Sequence, residues 1–400
     1  MKRMLLIIFL MSSGATFVTP LFPLYSKYYH LNSLQITILF AIYAVFLLPT
    51  LLIVGAKGSV WGLKKVVRIS ILISIASTLL LLCNTGVWML FAGRILEGIA
   101  YGAFTGTAVA FLMKHTSPKD IPTALKLSGV TVLVGFGFGP LIAAFMLQYI
   151  PIQPLKLPFW ILLVILLISI IVLETLSKDL VSPEQKRAKN KISLGVPKTI
   201  RTHFWAMSAL PIFTVFTLQG IAFALIPSFV KNVIQTSNLF ISGLIFFVLL
   251  GGSAAAKFIP RPTHPVTRIR FGIIFLVIAT WLIVISGLTS SLPLLWIGVF
   301  IQALGGGWTF QNALFFAGKL PEPEARPRVI SAFYFVAYIG FIVPVIGVGV
   351  LTKFFNLNLA LVILSMFATI IVAYILLYSV KFKREKYSTS VSKQVATLKN

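Results

Sequence analysis

The feature that most constrains this chain is the recurrence, along its 400 residues, of apolar runs long enough to cross a bilayer. A spanning helix needs ~20 mainly apolar residues, because it rises ~1.5 Å per residue through ~30 Å of hydrocarbon. Twelve segments meet that length, at roughly 4–25, 34–56, 66–84, 87–113, 122–149, 157–176, 204–230, 238–259, 269–289, 292–318, 327–352 and 357–380. Lipid supplies no partner for backbone N–H and C=O groups, so open sheet edges do not survive there. The expected fold class is an all-α integral membrane protein. Composition agrees: the chain is 58% hydrophobic and 10% charged, where a soluble domain carries about one quarter charged residues.

The net charge of +26 would suit nucleic acid if the cations formed a stripe, but they lie in short loops between apolar segments. There they set topology. Nearly all of the 34 Lys and Arg fall on one proposed side; Lys27, Lys156, Lys231 and Lys353 fall on the other, and Arg94 is buried in a segment. That asymmetry predicts both termini in the cytoplasm. The opening MKRMLLIIFLMSSGATFVTPLF begins like a signal peptide but lacks a convincing small-residue cleavage site, so it reads as an uncleaved first helix. Cys83 is the one cysteine, which excludes a disulfide framework and a thiolate metal site.

The polar stretch Leu176 to His203 divides six segments from six. We expect a six-helix bundle at 1–176, a cytoplasmic linker at 177–203, a second bundle at 204–381 and a mobile cytoplasmic tail at 382–400. The two halves share a register. Sliding the sequence by 205 residues puts Gly93 on Gly298, Gly102 on Gly307, Lys114 on Lys319, Pro122 on Pro327, Gly135 on Gly340 and Glu97 on Gln302. A duplicated six-helix unit explains this, and a site at the repeat interface is the arrangement such duplications favour.

One segment carries charge in its interior: GRILEGIAYG, Gly93 to Gly102. Arg94 lies ~10 Å and Glu97 ~15 Å along the helix from residue 87, so Glu97 falls near mid-membrane. Intramembrane charge is costly and marks a functional site by default. Three residues apart, the two share a helix face. Burial disfavours an ionised carboxyl and a nearby guanidinium favours it. These opposed effects can set a proton site near working pH. Glu97 is the candidate for the coupling proton. Arg94 either modulates it or binds an anionic group of the substrate. The bland alternative is a static ion pair tying this helix to a neighbour.

Gly135, Gly139 and Pro140 combine small residues for close helix approach with a proline bend. Their expected role is conformational, and Gly340, Pro344, Gly347 and Gly349 repeat the device near the end of the second half. Pro20, Pro23 and Pro227 are placed to break the first helix of each half. Tyr101, Gln219, Gln302, Trp308, Gln311, Asn312, Tyr334 and Tyr338 are the polar and aromatic candidates for a cavity lining, each with an interhelical contact as its plain alternative. No metal ligand set, no nucleotide-binding G-x-x-x-x-G-K-[ST] and no serine–base pairing is present. We therefore expect no cofactor, no metal, no nucleic-acid partner and no enzyme activity.

Three stretches resemble the major facilitator superfamily, in particular its twelve-helix bacterial exporters of the drug:proton antiporter type. LFAGRILEGIAYG, Leu90 to Gly102, is similar to the family's fourth-helix motif of an arginine followed by a glutamine or glutamate. GFGFGPLIAA, Gly135 to Ala144, resembles the fifth-helix antiporter motif with its G-x-x-x-G-P intact. FVTPLFPLY, Phe17 to Tyr25, is similar to the first-helix P-x-x-P pattern. The resemblance implies two six-helix bundles related by a pseudo-two-fold axis, alternating access, and export of a small amphipathic molecule against protons by a monomer in a bacterial plasma membrane. A same-fold importer or facilitator, or a flippase for a lipid-linked substrate, is the alternative. GAKGSVWGLKKVV departs from the family's loop motif: Gly55, Gly62, Lys64 and Lys65 fit, but Ser59 stands where the family has an acid that latches the cytoplasmic side.

Overall fold

The computed structural model describes all residues except 84, 151, 178–193, 237, 257, 259–263, 323–324 and 398–400. Most of the expected linker therefore lies outside the described residues. The rest is helical, with no strand among the described residues. The long segments are α1 (Lys2–Tyr29), α2 (Ser33–Trp61), α3 (Leu63–Cys83), α4 (Val87–Lys114), α5 (Ile121–Tyr149) and α6 (Leu157–Glu174), followed by α7 (Lys198–Lys231), α8 (Phe240–Ala255), α9 (Pro265–Leu288), α10 (Leu292–Lys319), α11 (Arg326–Leu351) and α12 (Leu357–Thr397). Eleven of these are long and apolar enough to cross a membrane. The exception is α8, 16 residues long where 238–259 was expected, because its helix gives way to a turn after Ala255. Over the expected tail α12 continues as helix to Thr397. No Gly or Pro occurs between Leu357 and Thr397 to stop it.

Local chemistry sets the ends. Asn32 and Gln35 form a reciprocal capping box at the start of α2, each side chain accepting the other's backbone N–H at 2.9 Å. Gly62, at φ +92°, turns α2 into α3 in a left-handed conformation that a side chain would resist. Prolines open α5, α6, α9, α10 and α11 in their first turns, where the missing N–H has no helical partner to lose. As expected, α1 is broken: helix runs to Thr16, a 3₁₀ turn spans Thr19–Leu21, and helix resumes at Phe22. The helix of α7, by contrast, runs through Pro227, and its irregularity is a π-turn at Trp205–Ala209. That turn abuts Pro211, which has no N–H to return to Met207.

The neighbours of the first six helices recur in the second six. α4 packs on α2 and α3, as α10 packs on α8 and α9; α6 lies on α3, as α12 lies on α9; α5 lies along α1, as α11 lies along α7. The two most extensive pairings between the halves are α5 with α8 and α2 with α11, and these are again equivalent under the repeat. Successive helices alternate in direction, and twelve of them bring both termini to one end, here the terminal end; the opposite end is the distal end. At the distal end Gln148 of α5 accepts the Leu239 N–H at 2.8 Å beside α8, and a Cβ on Gly349 of α11 would run into Thr37 of α2. Phe40 of α2 lies 5.0 Å from Phe341 of α11 and stacks on Phe223 of α7, which stacks at 4.7 Å on Phe246 of α8. These rings form a layer joining the halves below the distal surface.

Candidate functional site

Small residues bring α4 close to its neighbours. A Cβ on Gly98 or Gly102 would collide with the backbone of Tyr43 or Leu47 in α2, and one on Gly93 with Leu81 of α3. That proximity buries Arg94 and Glu97, each 3% exposed. They do not take up the face-sharing pair expected of them. Arg94 turns toward α1 and α2: its Nη1 donates to the Ala15 carbonyl at 3.4 Å, and its guanidinium carbon lies 4.5 Å from the centre of the Tyr43 ring. Glu97 turns toward α3, where Ser74 donates to Oε2 at 3.4 Å. The ion pairs among the described residues both belong to Glu174, with Lys64 at 3.5 Å and Arg68 at 2.6 Å. Arg94 and Glu97 form none.

The Ala15 carbonyl is in the last turn of the first piece of α1, where the break leaves carbonyls without helical donors. A guanidinium there also meets the negative end of that helix's dipole. Four buried polar atoms in this region have no hydrogen-bond partner: Arg94 Nε, Glu97 Oε1 and the hydroxyls of Tyr25 and Tyr43. Buried polar groups in folded proteins are nearly always paired, so such a cluster marks a place where a proton, water or ligand group belongs. Tyr101 completes the wall. Its hydroxyl shares a hydrogen bond with Ser12 of α1 at 3.1 Å, and its ring packs against Tyr43 and Phe136.

The facing wall comes from the second half. Tyr338 of α11 lies edge-on to Phe216 of α7 at 5.7 Å, and Phe216 also packs against Phe310 and Phe341. Tyr338 is within electrostatic range of Tyr43 and Tyr101 across the boundary between the halves. Gln219 sits against Gly306 of α10. Tyr334 packs on Phe333, and Gln311 is half-buried on α10. The remaining candidates sit elsewhere. The Trp308 indole donates to the Ala256 carbonyl at 3.1 Å and stacks on Phe275, which ties α10 to α8 and α9. Asn312 donates to the Trp308 carbonyl one turn back. Gln302 faces a small cavity within the second half, between α7, α9, α10 and α12, lined by Leu225, Phe229, Thr280, Leu361 and Ser365. Its register partner Glu97 likewise faces α3, the counterpart of α9.

Gly135, Gly139 and Pro140 hold α5 between two helices. A Cβ on Gly135 or Gly139 would strike the α1 backbone at Phe9 and Ser13; one on Gly137, on the other face, would strike Phe247 of α8, and one on Gly243 of α8 would strike the Pro140 carbonyl. Sequence reasoning missed Tyr25, Tyr43 and Ser74, which are ordinary membrane-helix residues until α4 is laid beside them. It also missed Glu174, whose position at the end of α6 gives no hint that it takes both Lys64 and Arg68.

A family profile described as Major Facilitator Superfamily matches residues 4–345. Among curated proteins, the chain is 25% identical over 179 residues to "Multidrug resistance protein 2" of Bacillus subtilis (strain 168), covering 45% of this chain and 44% of that protein. It is 27% identical over 210 residues to "Tetracycline resistance protein, class H" of Pasteurella multocida, covering 50% and 52%. The chain thus spans about half the length of these curated relatives. Among solved structures, a nucleoside transporter superposes with a TM-score of 0.74 at 13% identity, covering 94% of this chain and 98% of that one.

Proposed function

The chain belongs to the Major Facilitator Superfamily and is a multi-pass membrane transporter of small molecules; from that premise we propose that it exports a small amphipathic molecule in exchange for protons. It works by alternating access in a bacterial plasma membrane, with residues 1–176 and 204–381 as its two moving units and both termini cytoplasmic. The observation that carries the proposal is the buried group of Arg94, Glu97, Tyr25 and Tyr43, with four unpaired polar atoms, set against an aromatic wall contributed by both halves. Glu97 takes a proton while the site faces outward. It gives that proton to the cytoplasm when the site faces inward and substrate binds. The aromatic wall suits the apolar part of the substrate, and the phenol hydroxyls suit a polar part.

Two features support export. G-x-x-x-G-P is intact at Gly135–Pro140, and the two curated relatives above are named for drug and tetracycline resistance. The test is proton release by purified protein as drug-like compounds are added, comparing wild type with Glu97→Gln. Substrate-dependent release that disappears in the variant supports antiport through Glu97. Binding without release, equal in both proteins, would overturn the proton role and make the protein a facilitator.

A further inference from the structure

Two hydrogen bonds share a chemistry that the site above does not use. Proline at position i leaves the carbonyl of i−4 without its helical donor. In α5 the carbonyl freed by Pro140 belongs to Phe136, and the Thr16 hydroxyl of α1 donates to it at 2.8 Å. In α11 the carbonyl freed by Pro344 belongs to Gly340, and the Thr217 hydroxyl of α7 donates to it at 3.0 Å. The same repair is thus made twice, each time by the first helix of a half to the fifth. Thr16 and Thr217 are four residues off the 205-residue register, so the geometry recurs although the residue alignment does not.

Hydroxyls are a known way to satisfy carbonyls freed by proline in hydrocarbon. Location makes these two more than a repair. α5 and α11 each pack closely on a helix of the other half, α8 and α2. Thr16 is the last residue before the break in α1, next to Ala15, whose carbonyl receives Arg94. The α1 break therefore touches the charged site through one residue and the α5 bend through the next.

We propose that Thr16 and Thr217 are positioning residues for transport, each fixing the bend of an inter-half helix by holding the carbonyl its proline frees, and so setting the balance between distal-closed and distal-open forms. The proposal rests on the alternating-access reading and not on proton exchange. Its test needs no substrate. Ile152 and Phe354 are both exposed at the distal end, one in each half. In a Cys83→Ser background, spin labels at Ile152→Cys and Phe354→Cys report the separation of the halves by pulsed electron resonance. Thr16→Val and Thr217→Val keep shape and remove the donor. We expect each to change the closed-to-open ratio by about fivefold, the worth of one hydrogen bond, with the double variant changing it further. Thr16→Ser and Thr217→Ser restore the wild-type distribution.

Wild-type distances in both valine variants and in the double variant would overturn the proposal. So would a lower melting temperature with an unmoved distance distribution, which is the signature of a purely structural bond. A shift in distances together with absent proton release would keep this inference while removing the antiport reading.

Discussion

Arg94 lies with its guanidinium over the Tyr43 ring and one long hydrogen bond to the Ala15 carbonyl, while its Nε has no partner. Glu97, one turn further along α4, is equally buried and half-satisfied. Neither charge is neutralised by direct contact, so each depends on the field of the other and on the dipoles around it. Removing one partner of a buried charged set leaves an uncompensated charge and costs ~3–5 kcal/mol, whereas removing both is often nearly neutral. Arg94→Met should therefore lower the melting temperature strongly. Arg94→Met combined with Glu97→Gln should recover most of that loss and still fail to drive substrate against its gradient. Equal melting of the single and double variants would show that the two groups do not sense each other.

At the scale of elements, the glycines of α5 and α11 differ in tolerance from position to position. Gly139 is pressed against the carbonyl of Ser13, whereas a Cβ on Gly347 would meet nothing within 4 Å. Gly139→Ala should therefore force α1 and α5 apart, lowering stability by ~1–3 kcal/mol as overpacking does and lowering transport with it. Gly347→Ala should be neutral or stabilising by up to ~1 kcal/mol, because alanine is the better helix former and space is free. Thermal melting of the two variants side by side checks both. Similar losses at the two positions would mean that glycine serves helix flexibility here and not close approach. The distinction matters for function, since only a close contact couples bending of α5 to movement of α1.

Over the whole molecule, the described contacts between the halves include a distal layer built from Phe40, Phe223, Phe246 and Phe341. Lys64 and Arg68 near the terminal end are both held by Glu174 within the first half. Those cations anchor α3 to α6. Cys83, the one cysteine, ends α3 at the distal end and is exposed. On the proposed orientation, with both termini cytoplasmic, a membrane-impermeant maleimide should label the wild-type protein in intact cells, and Cys83→Ser should abolish labelling. Labelling only after the cells are opened would invert the proposed orientation.

By itself the sequence determined that the chain is helical and crosses the membrane repeatedly, because segment length and hydropathy leave no other structure in hydrocarbon. It also determined the repeat, legible as recurring Gly and Pro positions, and the buried Arg94 and Glu97, conspicuous because charge in an apolar run is rare. Breaks at Pro20 and Pro23 and close approach at Gly135 and Gly139 followed from backbone chemistry that acts over a few residues. What needed the tertiary structure was direction. Three-residue spacing puts Arg94 and Glu97 on one side of α4, yet packing sends one to α1 and α2 and the other to α3. The same spacing says nothing of whether Gln302 and Trp308 face the path between the halves or the interior of one half. Thr16 and Thr217 were invisible for a related reason: each is an unremarkable threonine until folding lays it against a carbonyl freed more than a hundred residues away.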